Sequence, residues 1–528
     1  MNTQLNRRDL LKLLSMLAAT PFFYQHSAAP GTTRRGLSTG DDVPNVLVLV
    51  FDTLSAKHMS LYGYHRETTP NLTRFAQRAT VYHRHYAGGN YTTPGTSSLL
   101  TGSYSWSHRA FNHEGTVIAE YRQRNLFSEF AGGPHHQVAY SHNLLAASLL
   151  QQFHENINEY IHARRFALTD GQIADLVFPR DEGIAYRSFE DLILQRGEMP
   201  SSLLLSFIDR VRNRVDKREI MKRYSKRYPK GVPELFKLFF TLEGTLDGIK
   251  ETIHRSPQPF LGYFHLLPPH EPYRPRREFI DRFNDGWKAA AKPERFFSDG
   301  HSVKELNQWR REYDEYLAYA DSEFGRFYDF LEQSGLLDNT YFVFTSDHGQ
   351  LFERGVHGHV TRLLYDPIIH VPLLISRPGQ QQREDVHVLT SCVDLLPTLL
   401  HVAGRPIPEW AEGEVLPPFG LKEVRAGRRV YSIEATINRK VAPLTVATVA
   451  MIHDRHKLVH YFGYGSVKDE YELYDLHNDP DEMEELYSAG HSIGKDLHHE
   501  LDEKLQVVNE RYLRGKRDRP ANAGRSGK

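Results

Sequence analysis

The run Asn45–Phe51 (NVLVLVF) is apolar at nearly every position, and a short run without alternation predicts a strand buried on both faces; it ends in Asp52. Thr340–Thr345 (TYFVFT) reads the same way and ends in Ser346-Asp347-His348-Gly349. Between them, Tyr91-Thr92-Thr93-Pro94-Gly95-Thr96-Ser97-Ser98-Leu99-Leu100-Thr101-Gly102 predicts a helix start. Pro94 suits the first turn, where its missing N–H costs nothing, and a threonine just before it can cap free amides. The same amides attract a phosphate or sulfate group, although taken alone this is an ordinary capped helix. Residues 189–257 carry apolar positions at helical spacing (Leu204, Phe207, Ile208, Val211) among many lysines and arginines, which predicts an inserted helical cap.

Ligands and metals in doubly wound α/β folds collect just outside the carboxyl ends of strands. A single strand-end aspartate is ordinarily a turn residue; two strand ends with matching chemistry are a candidate site. Asp52, Asp347 and His348 delivered there can hold one divalent cation, with the Thr92 oxygen completing the set.

Further motifs carry a resemblance. Leu61-Tyr62-Gly63-Tyr64 with Thr69-Pro70-Asn71-Leu72, Phe264-His265-Leu266-Leu267-Pro268-Pro269-His270-Glu271-Pro272-Tyr273, Asp347-His348-Gly349 with His357-Gly358, Leu364-Tyr365-Asp366 with Val371-Pro372-Leu373, Asp394-Leu395-Leu396-Pro397-Thr398-Leu399, and Leu473-Tyr474-Asp475-Leu476 with Asn478-Asp479-Pro480 follow one order. From about residue 45 to about 490 the chain resembles the sulfatase branch of the alkaline phosphatase superfamily. The resemblance implies an α/β fold: a mixed, mostly parallel sheet flanked by helices, with a helical insertion and a smaller C-terminal α+β part. Sulfatases carry Cys or Ser in a "C/S-x-P-S-R" motif, oxidised to formylglycine. Here Thr92 holds that position, and Gly95 and Thr96 stand where the motif's Ser and Arg belong. Threonine is not a formylglycine precursor. In relatives that cleave or transfer phosphodiesters it attacks phosphorus and forms a covalent phospho-threonine.

The resemblance therefore implies phosphoester or phosphodiester chemistry on an anionic ester substrate, through phospho-Thr92. The alternatives are a sulfuric ester hydrolase without formylglycine and an inactive binding protein on the same scaffold. It implies one divalent cation (Mg, Mn, Ca or Zn) on Asp52, Thr92, Asp347 and His348. Substrate contacts are expected from His270, His357, His359 and Arg362, and from His142 and Asn143, which stand near the sulfatases' "GKWH" pair. Asp366 and His370 form an Asp-x-x-x-His pair but lie inside a core segment, so they are not expected to ligate a second metal.

Residues 6–12 (NRRDLLK), followed by the apolar run 13–23 and by Ser27-Ala28-Ala29, resemble a twin-arginine export signal. The apolar run is too short and too early for a typical spanning helix. A periplasmic or extracellular location is expected, by way of the twin-arginine machinery, with an uncleaved anchor as the alternative. A net charge of -1 with pI ≈ 7.2 gives no reason to expect nucleic acid. Arg210, Arg212, Arg214, Lys217, Arg218, Lys222, Arg223, Lys226 and Arg227 form a basic cluster that reads first as a solvated face and, more sharply, as a surface for membrane headgroups or an anionic polymer. Cys392 is the only cysteine, so no internal disulfide forms. The expected organisation is a signal (1–29), a linker (30–44), a catalytic domain (45–405, with the insertion at 189–257), a C-terminal part (406–490), and a helix with a disordered basic tail (491–528).

Overall fold

Strand β1 (Asn45–Phe51) is buried throughout. Alternate side chains face opposite sides of a strand, and here Val46, Val48 and Val50 enter one hydrophobic core while Leu47, Leu49 and Phe51 enter another. That is why its sequence does not alternate. The computed structural model describes residues 43–113, 115–168, 203–235, 238–420, 427–487 and 492–517. The signal, nearly all of the linker, residues 169–202 and the terminal basic tail lie outside the described residues. From Pro44 onward the chain forms one compact unit.

Seven further strands complete the main sheet: β2 (Thr80–Tyr82), β3 (His136–Ser141), β4 (Glu159–Ile161), β5 (Phe260–Leu266), β6 (Thr340–Thr345), β7 (Leu373–Ser376) and β8 (Glu384–Val386). Their order is β8-β2-β7-β6-β1-β5-β3-β4. The pairs β6-β1, β1-β5, β5-β3 and β3-β4 are parallel, whereas β7 runs antiparallel to both neighbours. One face is covered by α1 (Pro70–Ala76), α5 (Leu242–Arg255) and the long α6 (Val303–Gln333), which supply Phe75, Leu246, Ile249, Tyr316 and Phe324. A capping box between Ser302 and Glu305 starts α6. The other face is covered by α2 (Thr92–Thr101), α3 (Leu144–Gln152) and α7 (Leu395–Val402), through Leu99, Leu149 and Leu396. The expected layered α/β architecture is the observed one.

The C-terminal part is an antiparallel meander of β9 (Arg429–Glu434), β10 (Ala447–His453), β11 (His456–Phe462) and β12 (Asp469–Asp475). Helix α8 (Ser492–Arg517) adds Leu497, Leu501 and Leu505 to the core shared with the main sheet. Strand β9 also ties down the segment before α2: Ile433 N–H donates to Gly88 O at 3.1 Å, and Ser432 Oγ to Ala87 O at 2.5 Å. In β11, the buried Lys457 lies 2.9 Å from Asp366 and also pairs with Glu482.

In the expected insertion, α4 (Leu203–Tyr224) is helical. The side chains of Arg210 and Arg212 lie outside the described residues. Part of the remaining cluster is paired: Lys217 with Glu234 at 3.4 Å and Arg227 with Glu243 at 2.8 Å. No helix among the described residues is long and apolar enough to cross a membrane.

Candidate active site

Four neighbouring parallel strands end at one place. Asp52 follows β1, Asp347 lies two residues beyond β6, His265 is the penultimate residue of β5, and Asn143 follows β3 as the cap of α3. Thr92 is the first residue of α2. The register sets His265 opposite Val50, so its imidazole emerges beside Asp52.

The polar atoms converge. His265 Nε2 lies 3.3 Å from Asp52 Oδ2 and 3.7 Å from Asp347 Oδ2; His348 Nε2 lies 3.3 Å from Asp52 Oδ1 and 3.6 Å from Asp347 Oδ2. Asn143 Nδ2 donates both to Asp52 Oδ2 and, at 3.1 Å, to Thr92 Oγ1, which stands 3.5 Å from His348 Nε2. Thr96 Oγ1 donates to Asp347 Oδ2 at 3.3 Å. The His348 Nδ1–H donates to Gly349 O at 3.0 Å, which turns Nε2 inward as the lone-pair nitrogen when the ring is neutral.

Burial governs the electrostatics. It opposes ionisation of Asp52, yet hydrogen bonds from His265 and His348, with the charge of His270, hold that carboxyl well below its usual range. Burial and the Asp52 charge raise Asp347. Burial lowers His348, but Asp347 and Asp52 outweigh it and the ring is raised. A pair of buried carboxylates this close calls for a cation.

The donor set fits one. Asp52, His265 and Asp347 each offer a ligand atom, all within 4.8 Å of one another. His348 Nε2 and Thr92 Oγ1 border the same space. Mixed carboxylate oxygen and imidazole nitrogen suit a divalent cation, and several ions satisfy that set.

Above this centre a cleft of about 310 Å³ is lined by Tyr91, Thr92, Asn143, His270, His357 and His359, among others. The His359 ring stands 4.8 Å from that of His270 and 4.6 Å from that of His348. Burial, then the charges of His348 and His270, hold His359 well below the usual histidine range, so it is neutral. His357 stacks on Trp309 and lies 3.3 Å from the Tyr273 hydroxyl.

The structure thus brings Asp52, Thr92, Asp347, His348, Asn143, His270, His357 and His359 together. Two expected residues are not brought to the cleft. Arg362 is exposed, its guanidinium 5.0 Å over the rings of both Phe297 and Tyr464, and these faces hold the cation elsewhere. His142 is buried against Phe240 and Tyr140, and that burial lowers it to about 3. Consecutive residues leave a strand end in opposite directions, so Asn143 faces the site and His142 does not. His265 was missing from the expected metal set. Its signal is an imidazole near the end of the otherwise apolar FLGYFHL, a strand adjacent to β1.

Gly95 explains a departure from the motif. A Cβ there would lie 2.2 Å from the Asp347 carbonyl oxygen, so α2 packs against the β6 end too closely for the motif's serine.

A family model described as Sulfatase matches residues 44–167 and 223–405, and one described as N-sulphoglucosamine sulphohydrolase, C-terminal, matches residues 355–511. The chain is similar to arylsulfatase K of Xenopus laevis, 32% identical over 210 residues; the match covers 39% of this chain and only 38% of that protein's length. It is 23% identical over 506 residues to N-acetylglucosamine-6-O-sulfatase of Bacteroides thetaiotaomicron, covering 89% of this chain and 87% of that protein. In fold it resembles the phosphonate monoester hydrolase of Agrobacterium radiobacter, with TM-score 0.60 at 19% identity over 89% of this chain and 96% of that one. All four strands whose ends build the site fall inside the first family match, which takes in more than half of the sequence, and the chain belongs to the sulfatase family.

Proposed function

We propose that this chain is a metal-dependent hydrolase of ester bonds that opens a phosphoester or phosphodiester with Thr92 as nucleophile. The observation that carries the reading is a buried threonine hydroxyl at a helix start, 3.1 Å from Asn143 and 3.5 Å from His348, beside two strand-end carboxylates. Asp52, His265, Asp347 and His348 would hold the cation. When bound, it supplies Lewis acidity, acidifying a nearby hydroxyl and offsetting the charge of the substrate.

The residues of the chain do the rest. Thr92 Oγ1 forms a bond to phosphorus as the bond to the leaving oxygen breaks, and its proton passes to a neutral base on the cleft wall, the place His359 occupies. Asn143 Nδ2 fixes the orientation of Oγ1. His270 and His359 lie on the cleft wall, where a donor can return a proton to the departing alkoxide. Water or an alcohol then cleaves phospho-Thr92 and restores the hydroxyl.

The names of the curated relatives favour a second reading, sulfate ester hydrolysis. Mass spectrometry separates the two. The metal-loaded protein is incubated with bis-p-nitrophenyl phosphate and, separately, with p-nitrophenyl sulfate, beside Thr92→Ala. Nitrophenol release from the diester, with a phosphoryl adduct on Thr92 and none in the variant, is expected; turnover of the sulfate alone would replace the first reading by the second. An export route through the twin-arginine machinery belongs to this proposal too and is tested by periplasmic recovery with and without Arg7 and Arg8 replaced by lysine.

A further inference from the structure

A second cavity, of about 430 Å³, shares no lining residue with the cleft. It lies where the C-terminal sheet meets the loops of the main sheet, walled by Lys57, Arg84, Arg455, Tyr86, Asp366 and His370 among others. Asp366 shares the buried Lys457, 2.9 Å away, with Glu482, and Arg455 pairs with Asp475 at 3.3 Å. Among the described residues, Lys57 and Arg84 have no carboxylate within ion-pair distance. Lys57 Nζ donates to Pro480 O at 2.5 Å, and the Arg84 guanidinium to Asp454 O. Carbonyls orient such groups without neutralising them. Asp454 also lines the cavity. One wall is aromatic: the Tyr86 and His370 rings stack at 5.3 Å.

An ammonium and a guanidinium held by carbonyls at a concave surface are the donors that recognise a tetrahedral oxyanion, the guanidinium through its planar fork. The cavity is far larger than a bare oxyanion and falls within the usual range for small organic ligands. We propose that this cavity is a second anion site, taking a phosphate or sulfate group carried on a small ring-bearing molecule, with the oxyanion on Lys57 and Arg84 and the ring against Tyr86 and His370. It stands independently of the chemistry assigned to Thr92.

The test is calorimetric titration of the full-length, metal-loaded protein with glucose 6-phosphate and glucose 6-sulfate, with inorganic phosphate and sulfate as a second arm. Lys57→Met and Arg84→Gln are titrated in parallel. Neither residue touches the cleft, so turnover of the chromogenic esters stays at the parent level. The expected result is binding of at least one sugar ester that weakens about tenfold or more in each variant. A second reading needs no variant: the sugar ester protects Lys57 from acetylation, read by peptide mass spectrometry. Inorganic anions binding as tightly as their sugar esters would overturn the organic ligand. Affinity unchanged in both variants, or Lys57 acetylated equally with and without ligand, would overturn the site.

Discussion

Gly95→Ala is the sharpest probe of how the site is assembled. The added Cβ would meet Asp347 O at 2.2 Å and its carbonyl carbon at 2.9 Å, both backbone atoms, so no side-chain rotation relieves the clash. Ordinary contact begins at 3.4 Å, and the start of α2 must therefore part from the end of β6 by about 1.2 Å. Overpacking of this kind costs roughly 1–3 kcal/mol, and alanine's better helix propensity returns about 1 kcal/mol, so the fold survives with a net loss of about 2 kcal/mol at most. The site does not tolerate it so well. Thr92 is carried by one of the separating elements and Asp347 by the other, and a misplacement of about 1 Å costs roughly 100-fold in rate. Steady-state kcat/KM with p-nitrophenyl esters, read beside urea denaturation, checks the contrast: activity falls about 100-fold while stability falls by no more than about 2 kcal/mol. A Gly95→Ala enzyme with parent kcat/KM would refute the claim that this contact sets the distance between the threonine and the metal carboxylates.

Other expectations follow from the same geometry. His265→Ala removes a nitrogen from the centre and weakens the affinity for the divalent cation by about 100-fold or more in a chelator competition, while Arg362→Ala leaves kcat/KM within about twofold because that side chain lies over Phe297 and Tyr464, outside the cleft. Lys457→Met strands Asp366 and Glu482 as buried, uncompensated carboxylates and costs about 3–5 kcal/mol in urea denaturation; replacing both acids by their amides as well recovers most of it. Glu315 is pushed up to about 7 by burial that Lys230 (3.8 Å) and Arg311 (3.9 Å) only partly offset. The folded state therefore keeps a proton that the unfolded chain loses near pH 4.5, and stability falls as pH rises from about 4.5 to about 7, by roughly 3 kcal/mol at most. Glu315→Gln removes that part of the slope in thermal melts taken across the window.

The central strands were legible because a strand covered on both faces writes a continuous apolar run, and their ends named Asp52 and Asp347 directly. Thr92 and Asn143 followed from their places in recognisable segments. His265 was hidden because its place near the end of an apolar run does not tell which strand lies beside it; only the β1-β5 register puts it beside Asp52. Arg362 misled because position in a motif says nothing about a pair of aromatic faces supplied by Phe297 and Tyr464 from other parts of the chain. Two partners of the basic cluster, Glu234 and Glu243, lie beyond the helix that carries most of its charge, so the sequence of that helix does not show them.

The hydrogen bonds from β9 to Ala87 and Gly88 bear on the order in which the enzyme is finished during synthesis. The metal carboxylates are both present once β6 has been made, but the strand that steadies the approach to Thr92 is translated about ninety residues later. At ordinary elongation rates that interval is on the order of ten seconds. A nascent chain in that interval carries both carboxylates without the strand that steadies the segment before Thr92.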